Sequence, residues 1–133
     1  MNNQSKSSTW AGDLGLSVPI VCAPMGGVAG GRLAAAVSQA GALGMIGMGS
    51  AGSASALRRE LAAYEDAVEK QQEPWGIGMV AWGIERDPVM LDVALQANPT
   101  VVSVSFGDFA ADPHPRWVSE AHTAGVQTIC QIA

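Results

Sequence analysis

The sequence is short of cysteine, charge and aromatic side chains. It has two cysteines among 133 residues, 14% charged and 5% aromatic residues, whereas 48% of the residues are hydrophobic. The low cysteine content excludes a small secreted scaffold held by disulfides, and the apolar fraction excludes an intrinsically disordered chain. A net charge of −5 argues against nucleic acid or an anionic membrane as the main partner, because both require a basic surface.

Long apolar runs are also missing. The longest strongly apolar stretch, Leu43–Met48, is too short and too interrupted by glycine to span a bilayer. Residues 1–17 contain no apolar segment of the kind that a secretory signal needs. We therefore expect a cytoplasmic protein in which Cys22 and Cys130 are buried free thiols.

Short apolar runs alternate with helical patterns along the chain, which is typical of βα units in a parallel sheet. On the first predicted helix, Leu33, Ala36, Val37 and Ala40 have the spacing of an apolar stripe. We expect a flexible leader over residues 1–13 and one α/β domain over residues 14–133. The pattern predicts five parallel strands in sequential order, at residues 19–23, 43–46, 75–80, 101–105 and 127–132, and four helices, at residues 32–40, 55–72, 88–97 and 115–124.

Two glycine-rich segments follow the first two predicted strands. Residues 47–52 match the G-x-G-x-x-G dinucleotide motif, but the acidic residue expected at the end of the next strand is missing. We interpret them as a tight turn where the backbone passes close to something flat or to another strand. Residues 26–31 lack the Gly-Lys-Ser/Thr of a P-loop. They are either a flexible turn into a helix or a place where backbone approaches a ligand closely.

Individual polar and aromatic candidates are weaker. Asp108 follows a strand, as a site residue or a loop cap would, and Gln131 is a polar residue near the end of the last strand. Trp82, in the loop after the third strand, is placed where it could wall a pocket. His114 and His122 lack a partner suited to a metal site or a catalytic triad, so we expect both on the surface and predict no metal.

Several segments together resemble a known family. They are PIVCAPMGGVAG at residues 19–30, LAAAVS at 33–38, AGALGMIG at 40–47, PWGIGM at 74–79, VSFGD at 104–108, and AGV with CQ between residues 124 and 131. In this order and spacing they resemble the nitronate monooxygenases, formerly called 2-nitropropane dioxygenases. The resemblance covers the chain from about residue 14 to its end.

The resemblance implies an FMN-dependent TIM-barrel enzyme that oxidises alkyl nitronates with dioxygen, giving carbonyl compounds and nitrite. A complete (β/α)₈ barrel takes about 250 residues, so we expect the N-terminal part of a barrel, truncated after strand five. Gly78 stands where the family often has Asn. The cofactor-binding residues that the resemblance implies are Ala23, Pro24, Met25, Gly26, Gly78, Ser105, Gly107 and Gln131.

The family's histidine, in a Gly-Gly-His segment, and its phosphate-binding loops would lie beyond residue 133. We therefore assign no catalytic residue and expect this chain alone to bind FMN weakly and to be inactive. The expected partners are a small nitronate and dioxygen, and unpaired strand edges favour self-association. Two alternatives stay open: a flavin-dependent enoyl reductase, which shares the early motifs, and a non-catalytic α/β module without flavin.

Overall fold

The computed structural model describes residues 9–69 and 73–131. Within them, the four strands form one parallel sheet with the sequential order β1-β2-β3-β4, so the predicted order is confirmed. No helix in this part of the chain has the length and apolar character needed to cross a membrane. The elements are α1 (Trp10–Asp13), α2 (Gly31–Gln39), β1 (Gly44–Gly47), α3 (Ala54–Ala67), β2 (Trp75–Val80), α4 (Ala81–Arg86), α5 (Val89–Gln96), β3 (Val101–Ser105), α6 (Arg116–Thr123) and β4 (Gln127–Gln131).

The first predicted strand is reduced to a single parallel bridge between Val21 and Leu43. Around it, the Leu43 N–H donates to the Ile20 carbonyl and the Cys22 N–H donates to the Leu43 carbonyl, each at 2.9 Å. The prolines at positions 19 and 24 bracket this pairing, and proline has no N–H to extend a ladder. The prediction of a buried strand is therefore wrong here, since Ile20 and Val21 are 59% and 42% exposed.

Two helices were not expected from the sequence. Residues 1–8 of the predicted leader lie outside the described residues, but Trp10–Asp13 form a helix whose first turn is capped by the Thr9 side chain. Ala81–Arg86 form helix α4 directly after β2, where the sequence analysis placed a loop. The predicted helix over residues 55–72 ends at Ala67, with residues 70–72 outside the described ones, as is residue 132 of the last predicted strand.

Alternation along the strands gives the sheet two different faces. The outer face packs against the helices and carries the larger core, which includes Ile46, Ile77 and Val102. The inner face carries a small cluster of Leu43, Met45 and Val101. Leu14, Leu16 and Cys22 pack against this small cluster. The N-terminal segment therefore covers the inner face only near the amino ends of the strands.

Helix α2 packs closely on the sheet through its small residues. Its buried positions are Gly31, Ala34, Ala35 and Ser38, not the predicted stripe of larger residues, and Leu33 is 43% exposed. The reason is the close approach of β1, because a Cβ on Gly44 would collide with the backbone of Ala34 and with Ser38 Oγ. Ser38 Oγ instead accepts a hydrogen bond from the Gly44 N–H at 3.2 Å.

Candidate functional site

The loop that follows the Val21 bridge lies on the carboxyl ends of β1 and β2. Gly47 and Gly78 are paired neighbours in the register of these strands. A Cβ on Gly47 would meet the backbone of Pro24 and Met25, and a Cβ on Gly78 would overlap the Pro24 ring. The Pro24 segment therefore lies directly on Gly47 and Gly78, and any side chain at these two positions would displace it. We call this glycine pair the glycine seat.

A cavity of about 270 Å³ opens on the inner face beside this seat. Three of the predicted cofactor-binding residues, Pro24, Ser105 and Gln131, line it, and Gly78 lies against Pro24. These residues are far apart in sequence and meet because they all end parallel strands or follow them. The complete lining is Val21, Pro24, Met45, Ser103, Ser105, Ile129, Cys130 and Gln131.

Ser105 and Gln131 are joined across the last two strands. They are register partners, and the Ser105 hydroxyl donates to Gln131 Oε1 at 3.2 Å. Because this contact uses the amide oxygen, the amide nitrogen, with its two N–H donors, is the part of the side chain left for a ligand. Ser105 is buried, whereas Gln131 is exposed at the end of the edge strand.

The other predicted cofactor residues do not line this cavity. Ala23 accepts a hydrogen bond from the Met25 N–H through its backbone, and the Met25 side chain is 54% exposed. Gly26 lines a separate cavity between the two glycine-rich loops. Gly107 lines a cavity of about 280 Å³ with Phe109 and Trp117, on the outer side of the sheet.

The two glycine-rich loops meet and line an open cavity of about 400 Å³. A Cβ on Gly26 would collide with the Gly49 backbone, so residues 47–52 do pass close to other backbone, although the neighbour is the first glycine-rich loop and not a strand. Glu60, on the cavity wall, accepts a hydrogen bond from the Gly31 N–H at 2.7 Å. A carboxylate therefore already uses the N-terminal N–H of α2 that an anionic ligand would need.

Sequence reasoning missed the residues that fix the second glycine-rich loop. Asp87 Oδ2 accepts a hydrogen bond from the Ala54 N–H at 2.7 Å, and the Arg86 guanidinium donates to the Gly52 carbonyl at 2.8 Å. Asp87 directly precedes the helix predicted over residues 88–97, where a cap of that helix would stand, but its carboxylate caps α3, 33 residues earlier. No local pattern could have revealed these contacts, because they depend on how α4 packs beside the loop.

The remaining candidates have structural roles or are exposed. Asp108 Oδ1 accepts a hydrogen bond from the Ala111 N–H at 3.0 Å, as a loop cap does. His114 and His122 are exposed, as predicted. In residues 9–69 and 73–131 no group of three His, Cys, Asp or Glu could hold a metal ion. Cys22 and Cys130 are free thiols, but neither is buried as predicted. Cys22 is partly exposed, and Cys130 is exposed because β4 is the edge of the described sheet.

One ionisable group has a clearly shifted pKa. Burial raises the pKa of Tyr64 above its ordinary value of 10.0; a hydrogen bond with Ser38 opposes this shift and the nearby Glu73 carboxylate adds to it. Tyr64 stacks on Trp75 with ring centroids 4.5 Å apart. Both residues belong to the helix-covered side of the sheet and not to the inner cavity.

A parallel α/β unit with strands in sequential order and polar groups gathered at their carboxyl ends is the beginning of a (β/α)₈ barrel. The family model for nitronate monooxygenase matches residues 8–83, and the chain belongs to that family. It is similar to a nitronate monooxygenase from Paraburkholderia phytofirmans, with 32% identity over 149 aligned positions that cover 87% of this chain and 40% of the relative.

Two solved structures share the fold. FabK from Thermotoga maritima superposes with a TM-score of 0.75 and 25% identity, over 95% of this chain and 38% of that one. A nitroalkane oxidase from Streptomyces ansochromogenes gives a TM-score of 0.68 and 26% identity, over 89% of this chain and 41% of that one. Both are TIM barrels, which confirms the predicted fold class. The chain spans about two fifths of the length of these relatives.

Proposed function

We propose that this chain is the flavin-ring-binding part of an FMN-dependent oxidoreductase that oxidises alkyl nitronates with dioxygen to carbonyl compounds and nitrite. The observation that carries the proposal is the meeting of Pro24, Gly78, Ser105 and Gln131 at one end of the sheet. This arrangement occurs in a chain of the nitronate monooxygenase family. The names of the relatives agree with a flavin-dependent enzyme.

The residues at the cavity fit the ring system of FMN. An isoalloxazine is flat, apolar over its faces and polar at its pyrimidine edge. The Pro24 ring lies over the glycine seat as an apolar surface, and the Gln131 amide offers N–H donors to carbonyl groups. Ser105 holds that amide by its oxygen, which favours one orientation of the donors.

The phosphate of FMN has no comparable fit in the described residues. The Gly31 N–H is bonded to Glu60, and the Arg86 guanidinium is bonded to the Gly52 carbonyl. Arg59 lines the cavity between the glycine-rich loops, but Glu60 lies on the same wall. We therefore assign no phosphate-binding residue to this part of the chain.

A bound flavin supplies the electron transfer with dioxygen, and the protein supplies position and surroundings. In this proposal the Pro24 segment covers one face of the ring, Gln131 binds the pyrimidine edge, and Ser105 orients Gln131. Neither His114 nor His122 lines the inner-face cavity, so no proton transfer is assigned to them. The proposal includes a cytoplasmic location, small nitronate and dioxygen as substrates, and self-association through the exposed β4 edge.

The test is FMN titration of the chain by flavin fluorescence, followed by oxygen uptake and nitrite release with the anion of nitroethane. Gln131→Leu should weaken FMN binding about tenfold, the effect of one lost hydrogen bond. The matched control is Gln127→Leu, because Gln127 lies on the same strand and face at the opposite end. Equal effects of the two variants would contradict the assignment of Gln131.

The same assay separates the alternatives. No FMN binding by the wild-type chain would favour a non-catalytic α/β module. FMN binding without nitrite release, but with reduction of an enoyl thioester by a reduced nicotinamide, would favour an enoyl reductase. Sedimentation over a range of concentrations, with Ile129→Lys as the edge variant, tests self-association, which the lysine should abolish.

A further inference from the structure

Two adjacent residues at the end of helix α4 bind the second glycine-rich loop at two points. The Arg86 guanidinium donates to the Gly52 carbonyl at 2.8 Å, and Asp87 Oδ2 accepts a hydrogen bond from the Ala54 N–H at 2.7 Å. Gly52 and Ala54 lie on either side of Ser53, the N-cap of α3. The two contacts therefore hold both the start of α3 and the end of the loop before it. We call Arg86 and Asp87 the clamp.

Helix α3 also has a cap of its own. Ser53 Oγ accepts a hydrogen bond from the Ala56 N–H at 3.1 Å, as the side chain of an N-cap residue does. Helix capping accounts for the contact of Asp87 with the Ala54 N–H, but it does not account for Arg86, which binds the carbonyl of a loop residue. The contact of Arg86 fixes the place of the loop and adds nothing to the cap of the helix.

The loop that the clamp holds is packed against the first glycine-rich loop. The Gly52 N–H donates to the Gly49 carbonyl at 2.8 Å, which closes a tight turn. A Cβ on Gly26 would collide with the Gly49 backbone, so the two loops touch backbone to backbone. Gly26 comes two residues after Pro24, whose ring lies on the glycine seat. A shift of the turn would therefore move the Pro24 segment, because no flexible side chain lies between them to absorb it.

The clamp and half of the glycine seat belong to the same part of the chain. Helix α4 follows β2 directly, and Gly78 of β2 accepts a hydrogen bond from the Met48 N–H at 2.7 Å through its carbonyl. The Pro24 segment therefore contacts this part of the chain twice. One contact is direct, at Gly78, and the other runs through Gly49 of the loop that the clamp holds.

Building on the proposed function, we propose that Arg86 and Asp87 are positioning residues for the flavin ring. Neither of them lines the inner-face cavity, so they act through the two loops. The clamp holds the second glycine-rich loop, this loop holds Gly26, and the Pro24 ring stays where it covers one face of the flavin. Such a fixed surface favours binding, because the segment need not become ordered when the ligand arrives.

Hydrogen exchange of the chain without flavin tests the path from the clamp to the Pro24 segment. Arg86→Met removes the donor groups, and its control is Arg58→Met, which removes an exposed arginine from α3. The reporters are the Val28 and Ala29 N–H groups, which donate to the Met25 carbonyl at 3.1 and 2.8 Å. Their exchange should accelerate about threefold in Arg86→Met and stay unchanged in the control. The amides of β3 should keep their protection in both variants.

Titration with riboflavin and with FMN separates positioning from an effect of charge. Riboflavin carries the same ring without the phosphate, so an arginine that only attracts the phosphate would affect FMN alone. Arg86→Met should weaken the binding of both flavins by the same factor, about threefold to tenfold. Arg86→Lys keeps a donor for the carbonyl and should restore part of the affinity for both. Weaker binding of FMN alone would overturn the proposal.

The exchange data can overturn the proposal independently. Faster exchange confined to residues 49–56, with Val28 and Ala29 unchanged, would mean that the clamp acts on its own loop only. Faster exchange throughout β3 would assign Arg86 to the stability of the whole domain instead of to the flavin. If the wild-type chain binds neither flavin, the proposed function fails and the positioning role fails with it. Wild-type flavin binding that Arg86→Met leaves unchanged would refute the clamp alone.

Discussion

The outer and inner faces of the sheet differ in how completely they are covered. On the outer face, Ile46, Ile77 and Val102 are fully buried beneath the helices. On the inner face, Ile129 and Val21 are 40% and 42% exposed although both line the cavity. The strands are the same and only the packing partners differ.

This difference assigns separate tasks to the two faces. Hydrophobic stabilisation scales with the apolar surface removed from water, so most of it comes from the outer face. Near the carboxyl ends of the strands, the inner face consists instead mainly of glycines and short polar side chains, Gly47, Gly78, Ser103 and Ser105. It contributes less to stability and leaves space for a ligand.

A matched pair of isoleucines tests this division most strongly. Ile77→Ala on the outer face should lower the free energy of unfolding by about 2–5 kcal/mol, because it leaves a cavity in a closed core. Ile129→Ala on the inner face should cost less than about 1 kcal/mol, since this side chain is already 40% exposed. Urea unfolding followed by circular dichroism measures both, and similar losses would contradict the comparison.

The glycine seat gives the next largest effect. Gly78→Ala places a methyl group where the Pro24 ring lies, so it should cost about 1–3 kcal/mol of stability as overpacking. It should also weaken FMN binding at least about tenfold, because the Pro24 segment moves. Gly12→Ala, in helix α1, is the control, since its Cβ would meet only Thr9 Oγ1 at 3.3 Å.

If Gly78→Ala lowers stability while FMN binding stays unchanged, the Pro24 segment serves the fold and not the flavin. The reverse result, weaker binding with unchanged stability, would mean that the segment moves freely on its seat.

Much of the fold could be predicted because periodicity reports burial. The strands at residues 75–80 and 101–105 occur as predicted, since runs that are buried on both faces leave a clear apolar signal. The segment around Val21 carries the same signal but pairs at one bridge only. Apolar composition could not reveal that Val21 stays 42% exposed among the described residues. The prediction that the larger residues of α2 face the core was wrong for a related reason. The helix packs so close to the sheet that its small residues are buried and Leu33 is exposed.

The candidate site was only partly predictable. Pro24, Ser105 and Gln131 line one cavity because the ends of parallel strands must meet, and this follows from strand order alone. The contacts of Asp87 and Glu60 with helix N-termini depend on packing between segments about 30 residues apart, as their spacings of 33 and 29 residues show. Sequence periodicity carries no information on such pairs.

Removing the Asp87 cap should have a moderate effect on the stability of the second glycine-rich loop. Asp87→Ala removes the acceptor for the Ala54 N–H, and loss of a helix cap costs about 0.5–2 kcal/mol. Asp66→Ala, an exposed acid in the last turns of the same helix, should be neutral or slightly stabilising. Hydrogen exchange of the amides between Gly49 and Ala56 should accelerate only in the Asp87 variant; equal protection in both would show that Ser53, the other cap, is sufficient.

The smallest expected effect is a pH dependence from the outer face. Burial raises the folded-state pKa of Tyr64 above 10.0, so the folded chain holds the phenol proton more tightly than the unfolded chain does. The stabilisation is complete below about pH 10 and is lost as the pH rises through the folded-state pKa. Tyr64 is the one tyrosine in the sequence, so phenolate absorbance reads its titration directly. The free energy of unfolding should fall more steeply above pH 10 in the wild-type chain than in Tyr64→Phe. Parallel pH profiles would mean that the ring is as hydrated as a surface tyrosine, and the outer face would then be less tightly closed than the burial of Ile77 and Val102 indicates.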